Sequence, residues 1–420
     1  VTLGGSNRRA AIIAGCRTPF CKSGTALKDA RAVDLARWAA RELLERSELD
    51  GEEIDEVIFG QVVPSALAPN VAREVSLLPQ LPKEIPAYSL NRACASAAQA
   101  ISAAVDQITL GNADVVLAGG TESLSDIPIL ASRRLADAIV EASRAKSLGA
   151  RIRAFARLRP RDFIPVAPAI AEPSTGETMG ESAEKMAKEN DVTRPEQDLW
   201  ALRSHERAAA ATADGRLTAE IVPWLPQRTE APPVTSDNGI RPDTTLEQMA
   251  KLKPVFDRKY GSVTAANSSP LTDGASAVLV MSDEKARALG YEPLTFVRSY
   301  AVAAVDPGWQ LLQAPIFAVP MALERAGIQW QDLGLIEIHE AFAAQVLSNL
   351  KGFAAKGWDI REEIINVMGG SIAIGHPFGA TGGRIVTTLS NEMKRRDVQF
   401  GLVSICAQGG MGFAMVLERR

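Results

Sequence analysis

Two stretches far apart in the chain follow the same plan, and this repeat narrows the choice of fold more than any other feature. Residues 88–120 read as strand, the small-residue turn Cys94-Ala95-Ser96-Ala97-Ala98, helix, strand and Gly-Gly. Residues 365–410 read as strand, the turn Gly379-Ala380-Thr381-Gly382-Gly383, helix, strand and Gly-Gly. Two halves of one design, packed about a pseudo-twofold axis, would set the two strand-to-helix turns side by side. Elsewhere apolar runs of strand length alternate with amphipathic helical stretches, the pattern of a mostly parallel sheet covered by helices. Residues 10–15, 54–60, 114–120, 335–338 and 401–405 read as strands, and Leu35, Trp38, Ala39 and Leu43 recur at helical spacing. Residues 125–261 differ: few strand-like runs, many charges and a Pro-rich stretch at 222–242, which reads as an inserted, loop-rich domain.

A chain of 420 residues buries roughly three quarters of its unfolded surface, enough for one large duplicated domain or several smaller ones. A formal charge of -4 with 23% charged residues gives no general reason to expect nucleic acid as a partner. No run reaches the roughly 18 apolar residues of a membrane span, and the N-terminus lacks the basic-then-apolar pattern of a signal peptide, so an intracellular enzyme is expected. The four cysteines form no CxxC or Cys/His ligand pattern, which predicts free thiols and no metal site. Cys16 and Cys21 read as small, partly buried hydrophobes.

The chain has only three histidines, so the setting of each carries weight. Cys94 follows the strand-like residues 87–90 and opens an Ala-rich helix, where the positive end of the helix dipole favours a thiolate; a buried structural cysteine is the ordinary alternative. His376 lies between Gly375 and Pro377, in a turn that is neither regular helix nor strand. His339 ends the strand 335–338 and precedes a helical stretch, at the carboxyl edge where open α/β sheets bind ligands. Cys406 ends the strand 401–405 in the same way. His205, within the charged stretch 197–211, reads as a surface helix residue, and Glu122, after a Gly-Gly, as structural.

Four motifs occur in a telling order: Asn91-Arg92-Ala93-Cys94-Ala95-Ser96, His339-Glu340-Ala341-Phe342, Gly375-His376-Pro377, and Cys406 followed by Gly409-Gly410. In order and spacing they resemble the active-site motifs of thiolases. Lesser matches support the resemblance: Arg17-Thr18-Pro19-Phe20, Gly119-Gly120-Thr121-Glu122, Met179-Gly180-Glu181-Ser182 and Asn267-Ser268-Ser269-Pro270. The resemblance implies a thiolase-like duplicated five-layer αβαβα fold with an inserted loop domain, in a homodimer. It implies no cofactor or metal, with coenzyme A as cosubstrate. By motif position Cys94 is the acyl-accepting nucleophile, His376 its base and Cys406 the general acid, while His376 and a water held by His339 receive the enolate oxygen. A second oxyanion hole uses the backbone N–H groups of Cys94 and Gln408, the latter where many thiolases have glycine. Ser269 and Arg241 match family contacts to coenzyme A, Arg241 with a solvated surface arginine as its alternative.

The expected reaction is 3-ketoacyl-CoA thiolysis in fatty acid β-oxidation: 3-oxoacyl-CoA and coenzyme A give acetyl-CoA and a shortened acyl-CoA. The His339-Glu340-Ala341-Phe342 form resembles the β subunit of the fatty acid oxidation trifunctional complex. So does the basic stretch 141–162, with seven Lys/Arg against two acids. That stretch is expected to be a solvated face, a contact for a hydratase/3-hydroxyacyl-CoA dehydrogenase α subunit, or a peripheral membrane contact. Expected divisions are 1–124 continued in 263–292, an insertion at 125–262, and 293–420. The expected location is the cytoplasm of a bacterium or the mitochondrion of a eukaryote. A biosynthetic acetoacetyl-CoA thiolase, a ketoacyl synthase and a non-catalytic lipid-binding or scaffold member are the rival readings. A synthase has no role for the second cysteine, and a non-catalytic member would have lost one of Cys94, His376 or Cys406.

Overall fold

The computed structural model describes residues 8–165, 171–226 and 231–420, so residues 227–230 of the Pro-rich stretch lie outside the described set. Among the described residues ten strands form: β1 (Ala10–Arg17), β2 (Cys21–Lys22), β3 (Glu56–Gly60), β4 (Ala87–Leu90), β5 (Val115–Glu122), β6 (Thr272–Ser282), β7 (Thr295–Ala304), β8 (Leu335–Ile338), β9 (Phe400–Ala407) and β10 (Met411–Glu418). Nine follow the order β4-β3-β5-β6-β1-β7-β10-β9-β8, and the short β2 pairs with β6.

The duplication is visible in the pairings. In the first half β3 and β5 are parallel, β5 and β6 antiparallel, and β6 and β1 antiparallel. The second half repeats this with β8 and β9, β9 and β10, and β10 and β7. Even the flanking strand β4 has a counterpart, since Ile365 bridges Ile336 of β8 in parallel. Between the last two strands the halves part company: a tight turn links β9 to β10, whereas the long segment 123–271 separates β5 from β6.

Period-two alternation sorts each strand between two cores. On β5, Val115 and Leu117 face a core shared with the helix Ala32–Ser47, while Val116 and Ala118 face a second core. On β9, Val403 and Ile405 face that same second core, and Leu402 joins a third with the helices Pro315–Ala326 and Ala343–Ala354. The middle layer is a pair of helices, Ser96–Leu110 and Thr381–Arg396, buried between the two halves of this continuous sheet. The result is helix, sheet, helix pair, sheet, helix. Close approach in the middle layer needs glycine: a Cβ on Gly382 would lie 2.4 Å from the backbone nitrogen of Ala98.

The described residues separate into a large unit, 1–126 with 171–420, and a small one, 127–170. The separate body is therefore narrower than the insertion expected at 125–262. Residues beyond 170 join the large unit because the helices Met179–Glu189 and Arg194–Ala213 pack against the helix Ala343–Ala354. In the small unit the helices Arg133–Arg144 and Leu148–Phe155 pack together, and Ser132 donates to the carbonyl of Asp162 at 2.6 Å. Its surface keeps Leu148, Ile152, Phe155 and Phe163 exposed beside all seven cations of the basic stretch. Among the described residues no helix is long and apolar enough to cross a membrane.

Candidate active site

The turn after β4 is built to present one side chain. The Asn91 carboxamide accepts from the N–H of Ala93 at 2.8 Å, and the Ser96 hydroxyl accepts from the N–H of Arg92 at 2.8 Å while donating to the carbonyl of Ala93 at 2.7 Å. These bonds hold Ala93 at φ 45°, a left-handed conformation that costs a non-glycine residue on the order of 1–3 kcal/mol. Cys94 follows at once, just ahead of the helix Ser96–Leu110. Burial pushes its thiol up to about 12, against the backbone N–H groups of Gln408 and of Cys94 itself, which favour the thiolate.

From the other half comes His376. Gly375 turns the chain at φ 115°, where a Cβ would meet the side chain of Thr272 at 2.7 Å, and Thr272 in turn accepts from the N–H of His376. Nε2 of His376 lies 3.1 Å from Cys94 Sγ. Its Nδ1 lies 2.6 Å from the Thr381 hydroxyl, which donates its single hydrogen to the carbonyl of Pro377 at 3.0 Å. Thr381 must then accept from Nδ1–H, which leaves the Nε2 lone pair facing the thiol, the tautomer a base requires. Burial first, then the positive charge of Arg384, lowers His376 to about 3, so the ring is neutral.

Glu122 ties the two halves together here. Buried, it accepts from the N–H groups of Val62, Val63 and Gly379 at 3.0, 3.1 and 3.1 Å, and burial raises it to about 7 despite them. Its place is structural: it anchors the loop that carries His376.

His339 follows β8 and donates its N–H to the carbonyl of Ser404 on β9 at 2.8 Å. Its ring centroid is 4.0 Å from that of His376, its Nδ1 is 2.9 Å from the Ser371 hydroxyl, and its buried Nε2 has no partner. The next residue, Glu340, is fully engaged by the Trp200 indole, the Ser204 hydroxyl, the Asn366 carboxamide and the N–H of Ile372, at 3.0, 2.7, 2.8 and 3.2 Å. Glu340 therefore fixes the segment and leaves the chemistry to its neighbour.

Cys406 is buried at the end of β9. Burial and then the nearby Cys94 raise it well above an ordinary thiol, so it holds its proton. In the turn that follows, the N–H of Gly409 donates to buried Glu172 at 3.1 Å, and Gln408 donates from Nε2 to the carbonyl of Ala171 at 3.2 Å. Gly409 and Gly410 take the positive φ values, 87° and 71°, so Gln408 needs no glycine-like backbone.

Cys94, His339 and His376 offer a sulfur and two ring nitrogens within 4.8 Å of one another. Such a set could ligate a soft divalent cation, but the ion would then occupy the Cys94 sulfur and both imidazoles. Ser269, half-buried, donates its N–H to the carbonyl of Ala341, beside the His339 segment, at 2.9 Å. Arg241 is exposed on the rim of a surface cavity of about 440 Å³, with Asp243, Thr244 and Gln248.

One expectation is corrected. His205 is buried, not on the surface: its Nδ1 accepts from the N–H of Arg241 at 3.2 Å, and burial lowers it to about 4. The residues missed from sequence are Thr381, Ser371, Glu340 and Arg384. Thr381, within the Gly-rich tail after His376, and Glu340, within the His339 motif, stood inside recognised motifs; Ser371 and Arg384 did not.

Residues 10–284 match the family described as thiolase, N-terminal domain, and residues 291–419 match thiolase, C-terminal domain. The 3-ketoacyl-CoA thiolase of Yersinia pestis (strain Pestoides F) is 49% identical over 424 residues, covering 98% of this chain and 97% of that one. Among solved structures, the acetyl-CoA acetyltransferase of Bacillus anthracis superposes with a TM-score of 0.87 at 35% identity, covering 99% of this chain and all of the other. Human mitochondrial 3-ketoacyl-CoA thiolase superposes with a TM-score of 0.84 at 33% identity, covering the whole of this chain and 99% of that one.

Proposed function

The chain belongs to the thiolase family, and we propose that it is a 3-ketoacyl-CoA thiolase of fatty acid β-oxidation whose acyl carrier is Cys94. The observation that carries the assignment of roles is the 3.1 Å approach of Cys94 Sγ to the bare Nε2 of His376, next to the second buried thiol of Cys406. His376 takes the thiol proton, and the thiolate attacks the 3-keto carbon of a 3-oxoacyl-CoA. The C2–C3 bond breaks, its electron pair passing to the thioester enolate of acetyl-CoA. His376, now protonated at Nε2, and a water on His339 receive the enolate oxygen. Cys406 gives its proton to C2 and then recovers one from the thiol of coenzyme A. The coenzyme A thiolate displaces Cys94 from the acyl group, and His376 returns the first proton. The N–H groups of Cys94 and Gln408 receive the tetrahedral oxygen in both acyl steps, consistent with their pull on the Cys94 thiolate.

Coenzyme A supplies the second substrate, and the reading requires no further cofactor. We assign its pantetheine arm to Ser269, beside the His339 segment, and its phosphates to Arg241 on the cavity rim. The working unit is a homodimer in this reading, with thiolase halves at 1–124 plus 263–292 and at 293–420 and an insertion at 125–262. The exposed apolar and cationic residues of the small unit favour a docking role for it, toward an α subunit or an anionic membrane.

The test is loss of the enolate absorbance of 3-oxoacyl-CoAs with chains of four to sixteen carbons, in the presence of coenzyme A, for wild type and Cys94→Ser. Turnover reaching the long chains and abolished in the variant supports the reading. Turnover confined to four carbons would move the assignment to an acetoacetyl-CoA thiolase, and none at any length would point to a non-catalytic member.

A further inference from the structure

Arg384 is fully buried in the middle-layer helix Thr381–Arg396, with NH1 3.3 Å from the carboxylate of Glu337 and NH2 2.9 Å from the hydroxyl of Ser371. A guanidinium has donors only, so the Ser371 oxygen must accept this bond. The hydroxyl hydrogen then has one acceptor within reach among the described residues, Nδ1 of His339 at 2.9 Å. A nitrogen that accepts is bare, and in a neutral imidazole the proton is then on the other nitrogen. Burial, with His376 and Arg384 adding to it, keeps His339 neutral. Its Nε2, buried and without a partner, is thus a donor reserved for something that enters the site.

We propose that Ser371, oriented by Arg384, is a positioning residue that fixes His339 in the Nε2–H tautomer, the opposite of the tautomer that Thr381 imposes on His376. The two rings, 4.0 Å apart, can then play opposite parts: His376 begins as an acceptor, and His339 is always a donor. With the other tautomer, His339 would take a hydrogen from the water it holds instead of giving one, and that water would have one fewer hydrogen for the developing enolate oxygen. The proposal deepens the thiolase reading and rests on it for the part His339 plays.

The consequence is selective. Carbon–carbon cleavage generates an enolate and needs the His339 donor. Exchange of an acyl group between acyl-CoA and labelled coenzyme A generates none, and proceeds through Cys94, His376 and the N–H of Gln408. Ser371→Ala should therefore lower kcat for 3-oxoacyl-CoA cleavage by about tenfold or more, with KM changed little and acyl exchange at its wild-type rate. Ser371→Thr, which keeps the hydroxyl, should restore most of the cleavage rate. With only three histidines in the chain, selective ¹⁵N-histidine labelling reads the tautomers directly in the full-length protein. Wild type should give Nε2–H for His339 and Nδ1–H for His376, with the His339 signature altered in Ser371→Ala. An Nδ1–H form of His339 in wild type, or equal loss of cleavage and exchange in Ser371→Ala, would overturn the proposal. A wild-type enzyme that cleaves no 3-oxoacyl-CoA would instead remove the functional reading, while the spectra would still decide the tautomer.

Discussion

At neutral pH the resting site holds Cys94 as a thiol and His376 as a neutral ring, because burial pushes the first up to about 12 and the second down to about 3. Substrate must therefore trigger the proton transfer, and the direction of that transfer depends on which ring nitrogen is bare. Thr381 decides it. Thr381→Val should cut kcat by about a hundredfold with little change in thermal stability, and Thr381→Ser should recover most of the activity, as steady-state rates will report. Unchanged kcat in the valine variant would remove Thr381 from the site. The four candidate side chains could be proposed from the sequence because Cys94, His339, His376 and Cys406 each stand in a turn or at a strand end among small residues. Thr381 and Ser371 gave no comparable signal. A hydroxyl takes its role from its partner, and those partners are set by contacts across the middle layer.

Among the elements, the helix Arg194–Ala213 shows where pattern reading fails. Its inward face carries Gln197, Asp198, Ser204 and His205, polar groups that a hydrophobic-face argument assigns to solvent. They are buried because each has a partner: Gln197 bonds Ser262, Asp198 bonds Asn267, Ser204 bonds Glu340, and His205 bonds Arg241. This has a measurable cost in acid. His205 titrates near 6.5 in the unfolded chain but near 4 when folded, so the unfolded state binds the extra proton and stability is lost as pH falls through that window. His205→Gln should lose less of its melting temperature between pH 6.5 and 4 than wild type; an equal loss would contradict the assignment. The two middle-layer helices make a second prediction. Gly382→Val would drive a side chain into Ala98, where even a Cβ lies at 2.4 Å, and should cost about 1–3 kcal/mol in urea unfolding. Activity should fall with it, because these helices carry the turns of Cys94 and His376. An unchanged unfolding midpoint would show that the layer has slack.

Over the whole molecule, duplication explains why one site draws on distant parts of the chain. Each half contributes a strand-to-helix turn to the middle layer: the first supplies Cys94, and the second supplies His376 from its turn, with His339 and Cys406 from neighbouring strand ends. The repeat between 88–120 and 365–410 was legible because the halves share turn chemistry as well as strand order. The extent of the separate body was less so, since charge and proline content do not say that the helices at 179–213 pack onto the second half. The body at 127–170 carries its own prediction. Replacing Arg151, Arg153 and Arg157 together by Glu should weaken binding to anionic vesicles or to an α subunit and leave thiolysis intact; unchanged binding to both would remove the docking role. Passage of the acyl group through Cys94 can be followed by intact-mass and peptide mass spectrometry after rapid mixing with a 3-oxoacyl-CoA in the absence of coenzyme A. A mass gain equal to the shortened acyl group, confined to Cys94 and discharged on adding coenzyme A, is expected. An adduct on Cys406 instead, or steady turnover with no adduct on Cys94, would contradict it.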